Sequence, residues 1–210
     1  MKDLPVFTTE LGVSSLTLSQ IPYRGDAYIQ VRSTQPGKAR EHLEECVQFC
    51  RMAGAKRIYA AGDELPPQLR LLELRGVPNL DPELVENIFP VTEQTVGKWR
   101  SIVNRRMQDV DLAAALDQKK EQEILSSGGA YFVHRQGELL GVGWQTEGTL
   151  RVLASVVPGA GERVAHTILS VTPGESIRIP VASSNEKALH LYKKLGFLPV
   201  GELERWHRLD

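Results

Sequence analysis

The sequence SNEKALHLYKKLGF, at positions 184–197, decides which fold this chain can adopt. After a polar opening, apolar side chains recur at i, i+3, i+4 and i+7, the spacing of one helical face, namely Ala188, Leu191, Tyr192 and Leu195. Gly196 is placed to end that helix, and the apolar run FLPV begins directly after it. The pattern predicts a helix packed against a core, with Asn185 at its mouth and the Asn185 amide free.

The pattern N-x-x-A-x-x-L-Y-x-x-x-G-F resembles the last conserved motif of the GCN5-related N-acetyltransferases. The resemblance implies that Asn185 contacts the pantetheine arm of acetyl-CoA. It also implies that the hydroxyl of Tyr192 protonates the departing thiolate, which a phenol with a pKa of about 10 can do. The alternative is an ordinary amphipathic helix closed by a glycine. The trailing Gly-Phe pair and the order of elements upstream favour the acetyltransferase.

Length and charge limit the classes of function that fit the chain. Its 210 residues are enough for one large domain or two small ones. The 25 basic and 26 acidic residues give a formal charge of -1, which argues against nucleic acid as the main partner. No apolar run has membrane-spanning length, and the N-terminus lacks the form of a signal peptide. We therefore expect a cytoplasmic protein with no membrane partner, whose oligomeric state stays open, a homodimer included.

The two cysteines, Cys46 and Cys50, are four residues apart on a predicted helix, a spacing that does not favour a disulfide. His42 lies on the same stripe, so the three could form one face of a metal site. No second cluster of ligands completes it. Buried thiols on an apolar helix face are the better interpretation, and no metal site is predicted.

Turn-forming residues at 78–86 divide the chain into two expected units, residues 1–80 and residues 87–210. In the first unit the patterns predict strands at 27–32 and 57–61, and helices at 38–53 and 68–75. In the second unit they predict the order β-α-α-β-β-β-α-β-α-β, including a helix at 111–125 and a last strand pair at 198–203 and 204–209. This order is that of the acetyltransferase fold, an α/β fold with a mixed sheet.

The first unit also resembles part of the second. Residues 57–77 and 178–197 both contain a predicted strand followed by leucines and a glycine. The first unit could therefore be a degenerate partial copy of the acetyltransferase, with Leu72 where the second unit has Tyr192. Chance similarity of two short segments is the alternative.

The loop that would bind the CoA pyrophosphate departs from the family pattern. The resemblance places it at VVPGAGERVA, residues 156–165, where backbone N–H groups at a helix N-terminus would grip the phosphates. The family's R-G-x-G-x-G signature is absent. Glu162 places a carboxylate near the expected diphosphate, and the two negative groups would repel each other by about 1 kcal/mol or more. Arg163 could offset this repulsion. The expected cofactor contacts are the backbone near Val156 and Gly161, the small residue Ala165, and Arg163, together with Asn185.

The fold resemblance implies one further feature, a separation between the strand ending at Val157 and the strand beginning at Ser176, where the pantetheine arm would lie. The candidates for the general base are Glu147, His134, Glu123 and His166, and none of them lies in a pattern specific enough to assign that role. The leading hypothesis is an acetyl-CoA-dependent N-acetyltransferase acting on a small-molecule or peptide amine by direct attack, with Tyr192 as the catalytic acid. The alternative is a non-catalytic module of the same fold that binds a partner or acyl-CoA.

Overall fold

The computed structural model describes residues 5–62 and 68–209. The chain divides into two compact units, the first made of Met1–Arg70 with Glu204–Asp210 and the second of Leu71–Leu203. The sequence places the junction about ten residues later than the structure does, and it assigns the last seven residues to the second unit. None of the helices among the described residues has both the length and the apolar character needed to cross a membrane.

The first unit is a mixed sheet covered by one long helix. The sheet runs in the order β1-β2-β3-β4-β11, with β3 and β4 parallel and the other neighbours antiparallel. Its elements are β1 (Val6–Thr8), β2 (Gly12–Thr17), α1 (Ile21–Arg24), β3 (Asp26–Thr34), α2 (Ala39–Met52), β4 (Arg57–Ala61) and the end of β11 (Leu198–Leu209). The predicted strands at 27–32 and 57–61 and the helix at 38–53 are confirmed.

The buried face of α2 carries both thiols, as the sequence predicts. Cys46 and Cys50 are fully buried and unbridged, and burial raises the pKa of Cys50 to about 11. His42 is equally buried, with Nε2 2.9 Å from the Ser14 hydroxyl and Nδ1 3.1 Å from the Thr9 hydroxyl. These bonds satisfy both ring nitrogens, so His42 is a hydrogen-bonded core residue.

The second unit is a six-stranded mixed sheet in the order β5-β10-β9-β8-β7-β6, in which only β9 and β10 are parallel. Its strands are β5 (Leu69–Gly76), β6 (Asn87–Pro90), β7 (Ala130–Arg135), β8 (Glu138–Thr146), β9 (Thr149–Ser155) and β10 (Ile177–Ala182). Its helices are α3 (Val96–Arg106), α4 (Glu121–Ser127), α5 (Gly161–Ser170) and α6 (Glu186–Lys194).

Helices cover both faces of this sheet. One core contains Val133 and residues of α5 and α6, and the other contains Phe132 and residues of α3 and α4. Because neighbouring residues of a strand point to opposite faces, these two cores lie on opposite sides of the sheet. The motif helix α6 ends as its sequence predicts: Gly196 adopts φ 92°, and the N–H of Phe197 bonds to the carbonyl of Tyr192 at 2.9 Å.

Two glycines of β8 let α5 approach the sheet closely. A Cβ at Gly141 would lie 2.5 Å from the Ala154 carbonyl oxygen and 2.7 Å from Cγ2 of Val164. A Cβ at Gly143 would overlap the side chain of Ile168. Any larger residue at Gly141 or Gly143 would therefore push α5 away from the sheet.

Three predictions of secondary structure are wrong. The predicted helix at 68–75 is strand β5, which pairs antiparallel with β10 from Gly76↔Ile177 to Leu71↔Ala182. Residues 69–77 therefore do not match 189–197 in secondary structure, and Leu72 lies on a strand. The predicted helix at 111–125 begins as a loop, and only Glu121–Ser127 is α-helical. The predicted final strand pair is one continuous strand, β11.

The close packing at β8 predicts the effect of one methyl group. Gly143→Ala should lower the free energy of unfolding by about 1–3 kcal/mol, because the added atom meets Ile168 in a packed core. The measurement is the midpoint of urea unfolding. Gly97→Ala in helix α3, where the nearest atom is 3.9 Å away, is the control and should be neutral or stabilising. Equal midpoints for the two variants would contradict the packing argument.

Candidate functional site

The second unit opens between its two parallel strands. Strands β9 and β10 are paired only at Thr149↔Arg178, near the N-terminal end of each strand. No further residue pair joins the described residues of β9 and β10, so the C-terminal ends of the two strands separate. This is the separation that the sequence resemblance predicts between Val157 and Ser176. Backbone groups along such a gap can hydrogen-bond an extended ligand as a further strand would.

A cavity of about 270 Å³ lies at this opening. Strands β9 and β10 contribute residues 150–153 and 179–182, and Leu71 comes from β5. Because its other walls come from helices on opposite faces of the sheet, the cavity passes between the strands. These other lining residues are Val103 and Met107 on the α3 side, the loop Val110, Asp111, Leu112, Ala113 and Ala114, and Asn185, Ala188 and Tyr192 from α6.

Tyr192 lies in the wall of the cavity and also belongs to the core. Its side chain is 6 % exposed, and its ring meets that of Phe197 edge to face at a centroid distance of 6.2 Å. Burial raises the pKa of Tyr192 well above its usual value because the surroundings disfavour the charged phenolate. The phenol is protonated at neutral pH, as an unperturbed tyrosine also is, and its hydroxyl is a hydrogen-bond donor.

Asn185 lies at the mouth of α6 and caps the helix. Its side-chain oxygen accepts the N–H of Ala188 at 3.2 Å, so the expectation of a wholly free amide is wrong for the oxygen. The amide nitrogen remains the donor that the side chain presents. The structure thus brings two predicted residues, Asn185 and Tyr192, to one cavity from one helix.

The other four predicted cofactor residues lie outside the cavity lining. Val156 donates its N–H to the carbonyl of Leu140 at 2.8 Å, which uses that donor within the sheet. Ala165 lies on the buried face of α5 and is fully buried in the core. Gly161 begins α5, where Ala160 provides no side-chain cap and a Cβ at Gly161 would have only the Ser155 hydroxyl within 4 Å, at 3.9 Å. An uncapped helix start with open space before it can receive an anion.

Charged side chains around the start of α5 are arranged differently from the sequence expectation. Arg163 pairs with Glu86 at 2.6 Å and also donates to the carbonyl of Glu83, so its guanidinium is engaged away from Glu162. Lys194 pairs with Glu162 at 2.7 Å instead. The hydrogen bond from Lys194 holds the pKa of Glu162 below its usual value, and the carboxylate stays ionised at neutral pH.

None of the four general-base candidates from the sequence lines the cavity. His166, for example, accepts the backbone N–H of Asp81 at Nδ1 and faces Glu162 with Nε2. The carboxylate in the cavity wall is Asp111, which the sequence analysis missed. The sequence pattern around Asp111 predicts a helix, whereas the structure has a loop there that brings Asp111 to the cavity wall.

The comparisons with known proteins identify the fold. No family model matches the sequence, and none of the curated proteins matches it. A GNAT-family acetyltransferase from Colwellia psychrerythraea is similar in structure, with TM-score 0.51 and 14% identity over 97% of this chain and 83% of that one. A GCN5-related N-acetyltransferase from Sphaerobacter thermophilus has TM-score 0.51 and 10% identity over 94% and 76%.

A functionally unknown conserved protein from Staphylococcus epidermidis is similar over both chains, with TM-score 0.53 and 12% identity over 99% of this chain and 94% of that one. The chain therefore has the fold of the GCN5-related N-acetyltransferases, which confirms the fold class predicted from the sequence. Identities this low establish the fold alone.

The burial of Tyr192 predicts its titration. In the difference absorbance between the wild type and Tyr192→Phe, no phenolate from Tyr192 should form around pH 10, where the phenol of a free tyrosine amide ionises. The raised pKa means that the group is still protonated there and ionises only at higher pH. Circular dichroism checks that both proteins remain folded. Ionisation of Tyr192 at the same pH as free tyrosine amide would contradict the burial of its phenol.

Proposed function

We propose that this protein is an acyl-CoA-dependent N-acyltransferase, with acetyl-CoA as co-substrate and a small-molecule or peptide amine as acceptor. The observation that carries the proposal is the cavity between β9 and β10 with Asn185 and Tyr192 in its wall. The fold supports it, since solved proteins named as acetyltransferases share the architecture. The motif that gave the resemblance thus lies beside an opening fit for an extended ligand.

The proposed ligand geometry follows from the unpaired strand edges. The pantetheine arm would lie in the gap between β9 and β10, with its amides bonded to the strand backbones and to the side-chain nitrogen of Asn185. The apolar walls, for example Leu150 and Val181, would shelter the thioester from water. The diphosphate would meet the N-terminus of α5 at Gly161, where backbone N–H groups have no cap.

The proposed chemistry is direct transfer. The nitrogen of the amine attacks the thioester carbonyl, a C–N bond forms, and the C–S bond breaks from the tetrahedral intermediate. The sulfur receives a proton from the hydroxyl of Tyr192, and the nitrogen gives up one proton, which returns to Tyr192 through solvent. The phenol of Tyr192 is protonated at neutral pH and can donate to the sulfur as negative charge develops on it. Burial raises the pKa of this phenol, which makes it a weaker acid than a free tyrosine, so the transfer depends on the basicity of the departing thiolate.

A non-catalytic acyl-CoA-binding module is the second candidate. The observation that favours it is the start of α5, where the family's glycine-rich signature is absent and Glu162 stands in the first turn. Arg163, the residue expected to offset that charge, is engaged by Glu86. Binding without turnover is therefore the outcome that separates the two candidates.

Binding of acetyl-CoA should stabilise the folded protein. Ligand at about 100 times its Kd contributes about 2.7 kcal/mol, which corresponds to a rise in Tm of about 5–11 °C for a chain of this size. Ala188→Trp, which places a large ring in the cavity wall, should abolish the rise. Lys187→Trp on the exposed neighbouring position is the matched control and should keep it. An unchanged Tm of the wild type would remove acyl-CoA binding from the proposal.

Replacement of the proposed acid should separate catalysis from binding. Tyr192→Phe should lower kcat by about 100-fold, since general acid catalysis contributes about 10²–10⁴. The Kd for CoA should stay within about twofold, because the ring still fills the wall. Thiol release in the presence of amine acceptors measures kcat, and calorimetry measures Kd. Tyr131→Phe, a phenol outside the cavity lining, is the control. Equal kcat for wild type and Tyr192→Phe would exclude Tyr192 as the acid.

A further inference from the structure

One strand of the cavity wall contains a proline. Strand β10 has the sequence IRIPVA, and its proline, Pro180, lines the cavity. Proline has no backbone N–H and is therefore found in sheets where that donor does not have to join a ladder. Strand β10 lies inside the sheet of the second unit, between β5 and β9. The edge toward which the nitrogen of Pro180 faces therefore decides which of the two neighbours lacks a hydrogen bond.

The hydrogen bond of Arg178 determines this edge. The N–H of Arg178 bonds at 2.9 Å to the carbonyl of Gly148, the residue before β9, so it faces β9. Backbone groups two residues apart in a strand face the same edge, so the nitrogen of Pro180 also faces β9. The residues on either side of Pro180 then face β5, which agrees with the uninterrupted pairing of β10 with β5.

Pro180 occupies the position at which the parallel ladder stops. The pair Thr149↔Arg178 joins β9 and β10. In a parallel ladder of this register, the next hydrogen bond would run from the N–H of residue 180 to the carbonyl of Leu150. That bond cannot form, because proline lacks the donor. Leu150 and Pro180 both line the cavity, which therefore begins where this bond is missing.

The first unit contains a comparable parallel pair without a proline. Helix α2 connects the parallel strands β3 and β4, as α5 connects β9 and β10. The sequences of β3 and β4, DAYIQVRST and RIYAA, contain no proline. These strands pair at five successive positions, from Asp26↔Arg57 to Gln30↔Ala61. A strand–helix–strand unit of this chain thus continues its ladder where every residue of both strands has an N–H.

We propose that Pro180 is a positioning residue that keeps β9 and β10 apart and so leaves the edge of β9 to the thioester arm of acyl-CoA. The part of this inference that concerns the ligand rests on the proposed function. The carbonyl of Leu150, which has no donor at Pro180, accepts an N–H of the bound ligand instead. An N–H at position 180 would let the strands bond to each other, and the ligand would have to break that bond to enter.

The competing explanation is a bulge in β9. Leu150 and Val152 pair with the adjacent residues Gln145 and Trp144 of β8, so Arg151 is an extra residue in β9. A bulge increases the local twist of a strand and would by itself turn β9 away from β10. Restoring the missing donor separates the two explanations. If the bulge opens the strands, the restored N–H finds no partner on β9, whereas it bonds to β9 if the proline opens them.

The test uses two variants that restore the donor, Pro180→Ala and Pro180→Val. The first has a smaller side chain and the second a larger one than alanine, so an effect that both share follows from the N–H. Pro90→Ala, at an exposed position of the edge strand β6 in the same sheet, is the matched control. In NMR spectra, the amide of residue 180 should exchange with solvent as slowly as those of Ile179 and Val181. Its proton should also show a nuclear Overhauser contact with β9.

Calorimetry on the same proteins measures the Kd for acetyl-CoA. Both Pro180 variants should bind acetyl-CoA about fivefold more weakly than the wild type does, the factor that corresponds to the net contribution of one backbone hydrogen bond. Pro90→Ala should bind it as the wild type does. The dispersion of the remaining amide signals shows that each variant is folded.

Three results would count against the inference, and they are distinguishable. Rapid exchange of the residue 180 amide in both variants, with no contact to β9, would overturn it in favour of the bulge. A protected amide with an unchanged Kd would overturn it as well, since the ligand would then not use this edge. Failure of the wild type to bind acetyl-CoA would refute the proposed function and the ligand part of the inference, while the amide exchange would still decide whether Pro180 separates the strands.

Discussion

The candidate site depends on two parallel strands, β9 and β10, that pair at one residue pair and then separate. Each strand is held on its other edge: β10 pairs with β5 along all of Ile177–Ala182, and β9 pairs with β8 from Thr149 to Ser155. The outer edges of both strands are therefore anchored in the sheet, while their facing edges are joined only at Thr149 and Arg178. Their facing backbone groups need partners, since buried N–H and carbonyl groups in folded proteins are almost always bonded. Under the proposed function, an extended ligand with alternating amides would supply these partners.

The packing of α5 connects the core to the same opening. Gly141 and Gly143 allow the helix to lie directly on β8, and the Val156 N–H bond to Leu140 fixes the chain as it leaves β9. The first turn of α5 is therefore placed at the C-terminal end of β9, beside the gap. A helix start carries partial positive charge, so tight core packing also determines where an anionic part of a ligand can bind.

The sequence predicts the motif helix well because all of its signals are local. The cap Asn185, the apolar face and the left-handed Gly196 lie within one segment, and each specifies its own geometry. Strand β5 is different. The sequence LRLLELRG suits either a helix or a strand, and pairing with β10, about 100 residues away, decides for the strand. Local pattern cannot contain that information.

The sequence predicts only one part of the cavity wall, the part formed by Asn185 and Tyr192. The residues VDLAAAL at 110–116 have high helix propensity, yet the structure keeps them as a loop because the side chain of Asn104 takes both backbone groups of Leu116. Helix propensity amounts to a few tenths of a kcal/mol per residue, so over this segment it is comparable to the two tertiary hydrogen bonds of Asn104. The wall opposite α6, and Asp111 within it, therefore follows from long-range contacts that periodicity does not encode.

The charges at α5 bear on which part of CoA would supply its affinity. Glu162 keeps its negative charge because Lys194 donates to it, so a diphosphate near this turn would compete with Glu162 for the same ammonium. Arg163 is drawn to Glu86 and to the carbonyl of Glu83, so it adds little positive potential at the helix start. The pair of Glu162 and Lys194 is partly exposed, and exposed pairs exchange partners at a cost of about 1 kcal/mol or less. The backbone N–H groups of the first turn of α5, which no side chain of Ala160 caps, remain for the phosphates, but the strand gap and the side-chain nitrogen of Asn185 would offer more bonds in a drier site. For this chain the pantetheine arm should therefore contribute more to binding than the diphosphate does, which explains how the fold can tolerate a loop without the family's glycine signature.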